Sequence, residues 1–444
     1  MTDNLMSKKQ REMVQISHAS DVESQNKVLM KSVKKKLNEV PPTQSNCSIF
    51  RVPERLRKVN DDAYTPQLVS IGPLHHGKEY LKVMEKHKWQ YMRDFICRTP
   101  NPEISLEECG KSILGLKQEA INSYAETIYS ENGFMEMMLV DGCFILELFL
   151  KYSIKNLRDT DDPLFNTSWM ITSLKRDLLL LENQIPFIIL ESLFSSILQR
   201  MPEPLSNSLV EFAFSFFNLV LRLDVEVLKK KCSLNGKHLL DLVRNSYLPP
   251  PPHEVHGEER KEIPEFVHCA TELRRAGITF RKSVADNLFE IKFSKGVLEI
   301  PALRIQDTTE SVFRNMIALE QCSYGCTHLI SSYAVFMDSL INTAQDVELL
   351  QHKRIIANYL GGEEQIADLF NNICKEVAVK DFYFADLSDQ VDAYYKTRWH
   401  VWKATLKRDY FSNPWAIISV VAAIFLLGLT VLQSVYTVMS YYPH

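Results

Sequence analysis

The chain has 444 residues, 45% of them hydrophobic and 24% charged, the balance of a folded globular protein rather than a disordered or fibrous one. Its 51 Lys and Arg stand against 55 Asp and Glu, which excludes a global basic field for nucleic acid. The nine cysteines are scattered and form no C-x-x-C pair, which argues against a secreted disulfide framework and for reduced, mostly buried thiols.

Residues 1–46 are polar and are expected to be disordered, apart from a short amphipathic stretch around Val28-Leu29, Val33 and Leu37 that Pro41-Pro42 breaks. They hold no continuous apolar core of the kind a secretory signal needs. Lys34-Lys35-Lys36 is a basic run and reads as a solvated face. A mostly helical domain is expected over 47–410. Glu79 to Arg98 has the period of a helix, with Leu81, Met84, Tyr91, Met92, Phe95 and Ile96 on one face. Ser105 with Glu108 resembles a capping box for a helix through Ile113, Leu116 and Ala120. Glu131 to Leu157 reads as an apolar helix interrupted near Asp141-Gly142. Thr172 to Arg200 reads as a helical region broken by Pro186, and Leu205 to Lys231 as a further, Phe-rich helix.

Pro249-Pro250-Pro251-Pro252 then opens a charged run through Glu265, so a surface loop or linker is expected at about 245–265. Beyond it, residues 278–280 and 289–305 look like strands, with a turn at Ser294-Lys295-Gly296. Helices resume at Thr309, from His328 to Leu350, and from Glu363 to Glu376; a long final one is expected from about Ser388 into the C-terminal apolar segment, broken at most by Asn413-Pro414. The fold class that follows is mainly α: a large helical body with a small β-hairpin element and one C-terminal transmembrane helix.

That last helix belongs to 411–444, expected to be a transmembrane anchor and short tail. From Trp415 to Met439 no residue is charged, longer than the roughly 20 apolar residues that cross a bilayer core. The expected span is marked by Trp415, Ile417, Val420, Ile424, Phe425, Leu426, Leu429, Leu432 and Met439, and its partner is membrane lipid. A buried core helix would need a polar face, which this segment lacks. Lys403, Lys407 and Arg408 form a basic flank upstream, with Lys396 and Arg398 before them and only Tyr441-Tyr442-Pro443-His444 after the span. Cations favour the cytosolic side. A single-pass, tail-anchored protein with its body in the cytosol is expected, at the plasma membrane or an endomembrane.

Candidate chemistry is sparse. Gly72-x4-Gly77-Lys78 has the spacing of a phosphate-binding loop. However, Glu79 stands where a Ser or Thr should hold Mg²⁺, and Pro73 removes a loop donor. DLLLLE (177–182) superficially resembles a Walker-B strand but is better read as helix. His75, His76 and His87, or Cys322, Cys326 and His328, supply no four well-spaced donors for zinc. Cys143 sits in apolar surroundings that raise a thiol pKa. Glu182-Asn183-Gln184 is a polar island in an apolar run, read as satisfying backbone groups around the Pro186 break. Two N-x-S sequons, at Asn46 and Asn166, carry little weight. No catalytic, cofactor-binding or metal residue is therefore assigned, and neither a cofactor nor a nucleic-acid partner is expected.

Several longer stretches together point to one family: IFRVPERLRKVNDDAYTPQLVSIGPLHHG, FMEMMLVDGCFILELFL, DLLLLENQIPFIILESLF, FSKGVLEIPALRIQDTTESVFRNMIALEQC, SSYAVFMDSLINTAQDVELL and PWAIISVVAAIFLL. In these the chain resembles the plant family called Domain of Unknown Function 247, over about residues 47–440. The resemblance implies a land-plant origin, a mostly helical fold and a C-terminal membrane segment, and it supplies no reaction. Some grass members are implicated as pollen determinants of self-incompatibility, which implies a recognition role. Three functions compete on this reading. The first is a tail-anchored interaction or signalling protein with protein partners. The others are a membrane-associated enzyme using the His75-His76-Gly77-Lys78 loop, and an exported recognition protein.

Overall fold

The computed structural model describes residues 25–37, 47–126, 133–201, 205–221, 235–249, 268–285, 287–397 and 414–441. The chain divides into two compact units, Met1–Cys47 and Ser48–His444. In the first, α1 is a helix over residues 25–37, exposed along its whole length.

The second unit is built around one helix that is apolar on every side. α4 (Phe134–Ser153) is buried at each position from Val140 to Lys151, as a helix without a polar face must be in water. Four others surround it: α2 (Val83–Ile96), α3 (Pro102–Leu114), α6 (Phe187–Leu198) and α7 (Leu209–Leu221). The expected interruption at Asp141-Gly142 does not occur. Asp141 instead meets the Lys88 ammonium of α2 at 2.8 Å, and Gly142 lets α6 approach. A Cβ there would stand 2.5 Å from Leu193 Cδ1.

Boundaries elsewhere follow local hydrogen bonding. α3 begins at Pro102, a residue pre-set for the first helical position, so Ser105 lies inside the helix. It is buried, 2.7 Å from the Thr99 hydroxyl, and is not a cap. α5 (Ser168–Asp177) stops well before Pro186, and 178–186 runs in turns. DLLLLE is thus neither strand nor helix. The segment expected as one helix from His328 to Leu350 is two, α10 (Leu329–Leu340) and α11 (Ala344–His352). Thr343 and Asp346 form a reciprocal capping box that starts the second.

The β element is larger than expected. β1 (Thr279–Lys282) pairs parallel with β3 (Val297–Ile300), and β2 (Lys292–Ser294) pairs antiparallel with β3. Between β2 and β3, Lys295 and Gly296 both have positive φ, 51° and 76°, as a tight two-residue hairpin turn requires. β4 (Leu303–Ile305) pairs parallel with β5 (Ile356–Asn358), a strand too short for the sequence pattern to reveal.

α9 (Thr309–Cys322) organises the C-terminal half, packing on α8 (Leu239–Tyr247), α10 and α12 (Glu363–Ile373). α13 (Ala385–Lys396) packs beside β2. One contiguous apolar core runs from Ile49 to Val391. α14 (Pro414–Tyr441) is a single uninterrupted helix. Pro41-Pro42, the run from Pro250 to Glu265, the far end of the expected 205–231 helix and the basic flank Lys403, Lys407 and Arg408 lie outside the described residues.

Candidate functional site

The polar island between α5 and α6 is the knot that ties the first half of the body together. Asp177 ends α5 and turns its carboxylate to three successive N–H groups, of Gln67, Leu68 and Val69, at 3.0, 2.7 and 3.1 Å. Asn183 accepts the Ile71 N–H at 2.7 Å and donates to the Val69 and Asp177 carbonyls at 3.0 and 2.9 Å. Gln184 donates to the Leu178 and Leu180 carbonyls at 2.8 Å and accepts the Leu240 N–H at 3.2 Å. Side-chain amides thus take the carbonyls that a continuing helix would have used, which is why the chain turns here.

Glu182 is the charged member. It accepts the Val52 N–H at 2.7 Å and faces Arg57 Nη2 at 2.7 Å and His75 Nε2 at 3.2 Å. Burial works to raise its pKa, but His75, the Val52 N–H and Arg57 together hold it down to about 2.

The same contacts decide the geometry of the glycine loop. Gly72 has φ +71°, its N–H donates to Asp141 at 2.8 Å, and a Cβ there would collide with the Gln184 carbonyl oxygen and stand 3.0 Å from the Tyr124 hydroxyl. A carboxylate of the protein itself therefore occupies the first donor a phosphate would need. His75 is buried against Glu182, whereas His76, Gly77, Lys78 and Glu79 point to solvent. A 3₁₀ turn, Glu79–Leu81, separates the loop from the first residue of α2, Val83, where a phosphate-binding loop would lead directly into its helix. The arrangement is that of a structural loop.

The other sequence candidates are not brought into constellations. No group of three or more His, Cys, Asp or Glu suited to a metal occurs among the described residues. Cys143 is fully buried and burial pushes its thiol well above the ordinary value; Cys322 is pushed up to about 11 by the same cause. Both are poor nucleophiles.

The sequence reading passed over a set of buried charges. Lys151 of α4 meets Asp94, Asp162 and Asp159 at 2.9, 3.2 and 3.3 Å, and Tyr91 donates to the same Asp162 at 2.8 Å. Glu147 is paired with Arg98. Burial would lower the Lys88 ammonium, yet Asp141 and Glu85 raise it above the usual lysine value. The available signal was three charged residues, at 141, 147 and 151, in the otherwise apolar stretch from Val140 to Lys151. Lys175 differs from these. It is 3% exposed and donates to the Tyr152 hydroxyl at 3.0 Å. The Tyr152 and Phe216 rings lie 4.4 and 5.2 Å from its Nζ. Burial lowers its pKa to about 8.

α14 is the feature of a different kind. Its 28 residues extend about 42 Å at helical rise, more than the roughly 30 Å of a bilayer core. From Val421 to Ser440 it is 0% buried, with Ile424, Phe425, Leu426, Leu429, Leu432 and Met439 all exposed. The expected span residues Trp415, Ile417 and Val420 lie on the same helix. Several of its hydroxyls are satisfied internally. Thr430, Ser434 and Thr437 return their hydroxyls to the carbonyls of Leu426, Thr430 and Gln433 at 2.8, 2.8 and 2.7 Å, which limits the cost of a lipid surrounding. By length and composition it is able to cross a membrane, and it is not a core helix.

The comparisons agree with the motifs. The family model described as "Plant protein of unknown function", Domain of Unknown Function 247, matches residues 49–429. The chain is 33% identical to UPF0481 protein At3g47200 of Arabidopsis thaliana, an alignment covering 90% of this chain and 87% of that protein. It is 21% identical to Putative UPF0481 protein At3g02645 of the same plant, over 91% of this chain and 93% of the relative. No solved structure gives a significant match. The chain belongs to the Domain of Unknown Function 247 family of plant proteins.

Proposed function

We propose that this protein is a single-pass membrane protein whose helical body is held at a cytosolic membrane face, where it binds protein partners without catalysing a reaction. The observation that carries the reading is α14, apolar, uncharged and exposed over a full bilayer thickness. The basic residues Lys403, Lys407 and Arg408 before it support a cytosolic body, because cations flanking a span favour that side. The destinations of the buried polar groups support a non-catalytic role. Asp177, Glu182, Asn183 and Gln184 spend their hydrogen bonds on backbone groups and neighbouring charges, as structural groups do.

Fractionation and protease protection test this reading. The full-length chain with an N-terminal tag should stay in membranes through alkaline carbonate extraction, and a chain ending at Asp409 should become soluble. In sealed microsomes the tag should be digested by added protease. Partners captured with the full-length chain should depend on the anchor. Carbonate release of the intact protein, glycan at Asn46 or Asn166, or an identical partner set without the anchor would overturn the reading.

A further inference from the structure

α14 carries a pattern that crossing a bilayer does not require. Steps of three and four residues lead from Ala423 to Leu426, Thr430, Gln433, Thr437 and Ser440, the seam positions of a heptad repeat. The helix is unbroken there, so these residues share one side, and all but Leu426 are small or polar. Among the other residues from Val421 to Ser440, only Ala422, Gly428 and Ser434 are small. A helix that meets lipid all round gains nothing from such a division, because every side then faces the same hydrocarbon. Between two helices it matters: small residues let the backbones approach, and polar ones hydrogen-bond across.

Gln433 is the residue of this seam that needs a partner. The Thr430, Thr437 and Ser440 hydroxyls return to the carbonyls of Leu426, Gln433 and Thr437 at 2.8, 2.7 and 2.8 Å. The Gln433 side chain makes no hydrogen bond among the described residues; only its backbone carbonyl is used. At helical rise Gln433 lies about 10 Å inside the Ser440 end of the segment, too deep for its short side chain to reach the headgroups. An amide left unpaired in hydrocarbon is costly, and lipid tails offer it neither donor nor acceptor.

We infer that α14 pairs within the membrane with α14 of a second copy of this chain, side by side and parallel, along the seam from Ala423 to Ser440. In a parallel pair the two Gln433 side chains lie at the same depth. Each has N–H groups to give and a carbonyl oxygen to accept, so the two copies complete one another. A helix of any other protein would need a matching amide at that one depth. The heptad spacing sets a left-handed crossing of about 20°. The contact is the same surface on both copies, so it closes as a dimer rather than growing into a chain. The inference rests on the membrane-spanning reading of α14.

The test is energy transfer between full-length chains carrying a donor or an acceptor dye at the C-terminus, reconstituted together in phosphatidylcholine vesicles and diluted with lipid. Transfer should exceed that of random neighbours, and should survive about ten-fold more dilution in the parent than in Gln433→Leu. Gln433→Asn, which keeps an amide, should retain most of the association. Val435→Leu, on the side of α14 away from the seam, should match the parent. Flotation with the vesicles reads the anchor separately. Chains that float but transfer energy only as random neighbours do, or equally in the parent and Gln433→Leu, overturn this inference and leave the anchor standing. Association lost as fully in Gln433→Asn or Val435→Leu as in Gln433→Leu also overturns it. Chains that do not float overturn the anchor and this inference with it.

Discussion

The Glu182 carboxylate accepts the Val52 N–H at 2.7 Å, joining segments 130 residues apart in the chain. The same group faces Arg57 and His75, so one ionised oxygen pair fixes the start of the folded body, the glycine loop and the α5–α6 connection. Its pKa, held at about 2 against an ordinary 4.5, makes this a pH-dependent tie. The folded-state value is the lower one, so the stability is present above about pH 4.5 and is lost as pH falls towards 2. It amounts to roughly 3 kcal/mol. Glu182→Gln should destabilise the body by about that much at pH 7, where Arg57 loses its counter-charge. Urea unfolding of both proteins should show the gap closing as pH approaches 2. A gap that stays constant with pH would mean the carboxylate is not the linked group.

Gly72 and Gly77 separate packing from chain flexibility. Both have positive φ, +71° and +82°, but only Gly72 has neighbours where a Cβ would stand. Gly77→Ala should cost about 1 kcal/mol, the strain of a left-handed residue. Gly72→Ala should cost about 2–4 kcal/mol, because Gln184 and its hydrogen bonds must move as well. Lys78→Ala, at an exposed residue, should change neither stability nor the response to added nucleotides or metal ions. Thermal unfolding of the three variants with a ligand panel checks all of this. A nucleotide that stabilises the parent and not Lys78→Ala would restore the loop as a phosphate site.

Lys175 is a buried ammonium held by rings and one hydroxyl, with no carboxylate within 4 Å among the described residues. Its folded-state pKa of about 8 lies below the unfolded value. The unfolded chain therefore binds the proton more tightly between about pH 8 and 10, and stability should rise with pH across that window. Lys175→Met, similar in length and without charge, should raise the thermal midpoint at pH 7 by removing a desolvation cost of about 1–3 kcal/mol. It should also flatten the alkaline rise. An unchanged or lower midpoint would show that the contacts to Tyr152 and Phe216 outweigh the burial.

How much of this was legible in the sequence depends on the range of the interaction. The helices, the long apolar C-terminal one among them, come from periodicity and composition, which are local, and most of them emerge as helices. The breaks do not. Asp141-Gly142 resembles a helix interruption only when Lys88 and Leu193, which meet those two residues, are out of view. DLLLLE resembles a helix because the groups that unwind it, Asn183 and Gln184, act through carbonyls of Asp177, Leu178 and Leu180. β5 is three residues long and exists only because β4 offers it an edge. The polar island was visible as an anomaly; its partners at Val52, Ile71 and Leu240 required the fold.

The proposed anchor is open to a quantitative test. The Leu, Ile, Val and Phe residues of α14 favour the bilayer by roughly 4–8 kcal/mol, while an Arg near the centre costs about 2.5–3.5. Leu429, close to the middle of Val421–Ser440 and exposed, is the place to put one. Leu429→Arg alone should weaken carbonate resistance without abolishing it. Leu426→Arg with Leu429→Arg should cancel most of the driving force and release the protein from membranes. Thr437→Val, whose hydroxyl bonds only to the Gln433 carbonyl, should leave attachment unchanged. Because the altered side chains face away from the core, the thermal midpoint of the body should be the same in all three variants. Membrane retention of the doubly charged protein, with that midpoint intact, would show that attachment does not run through α14.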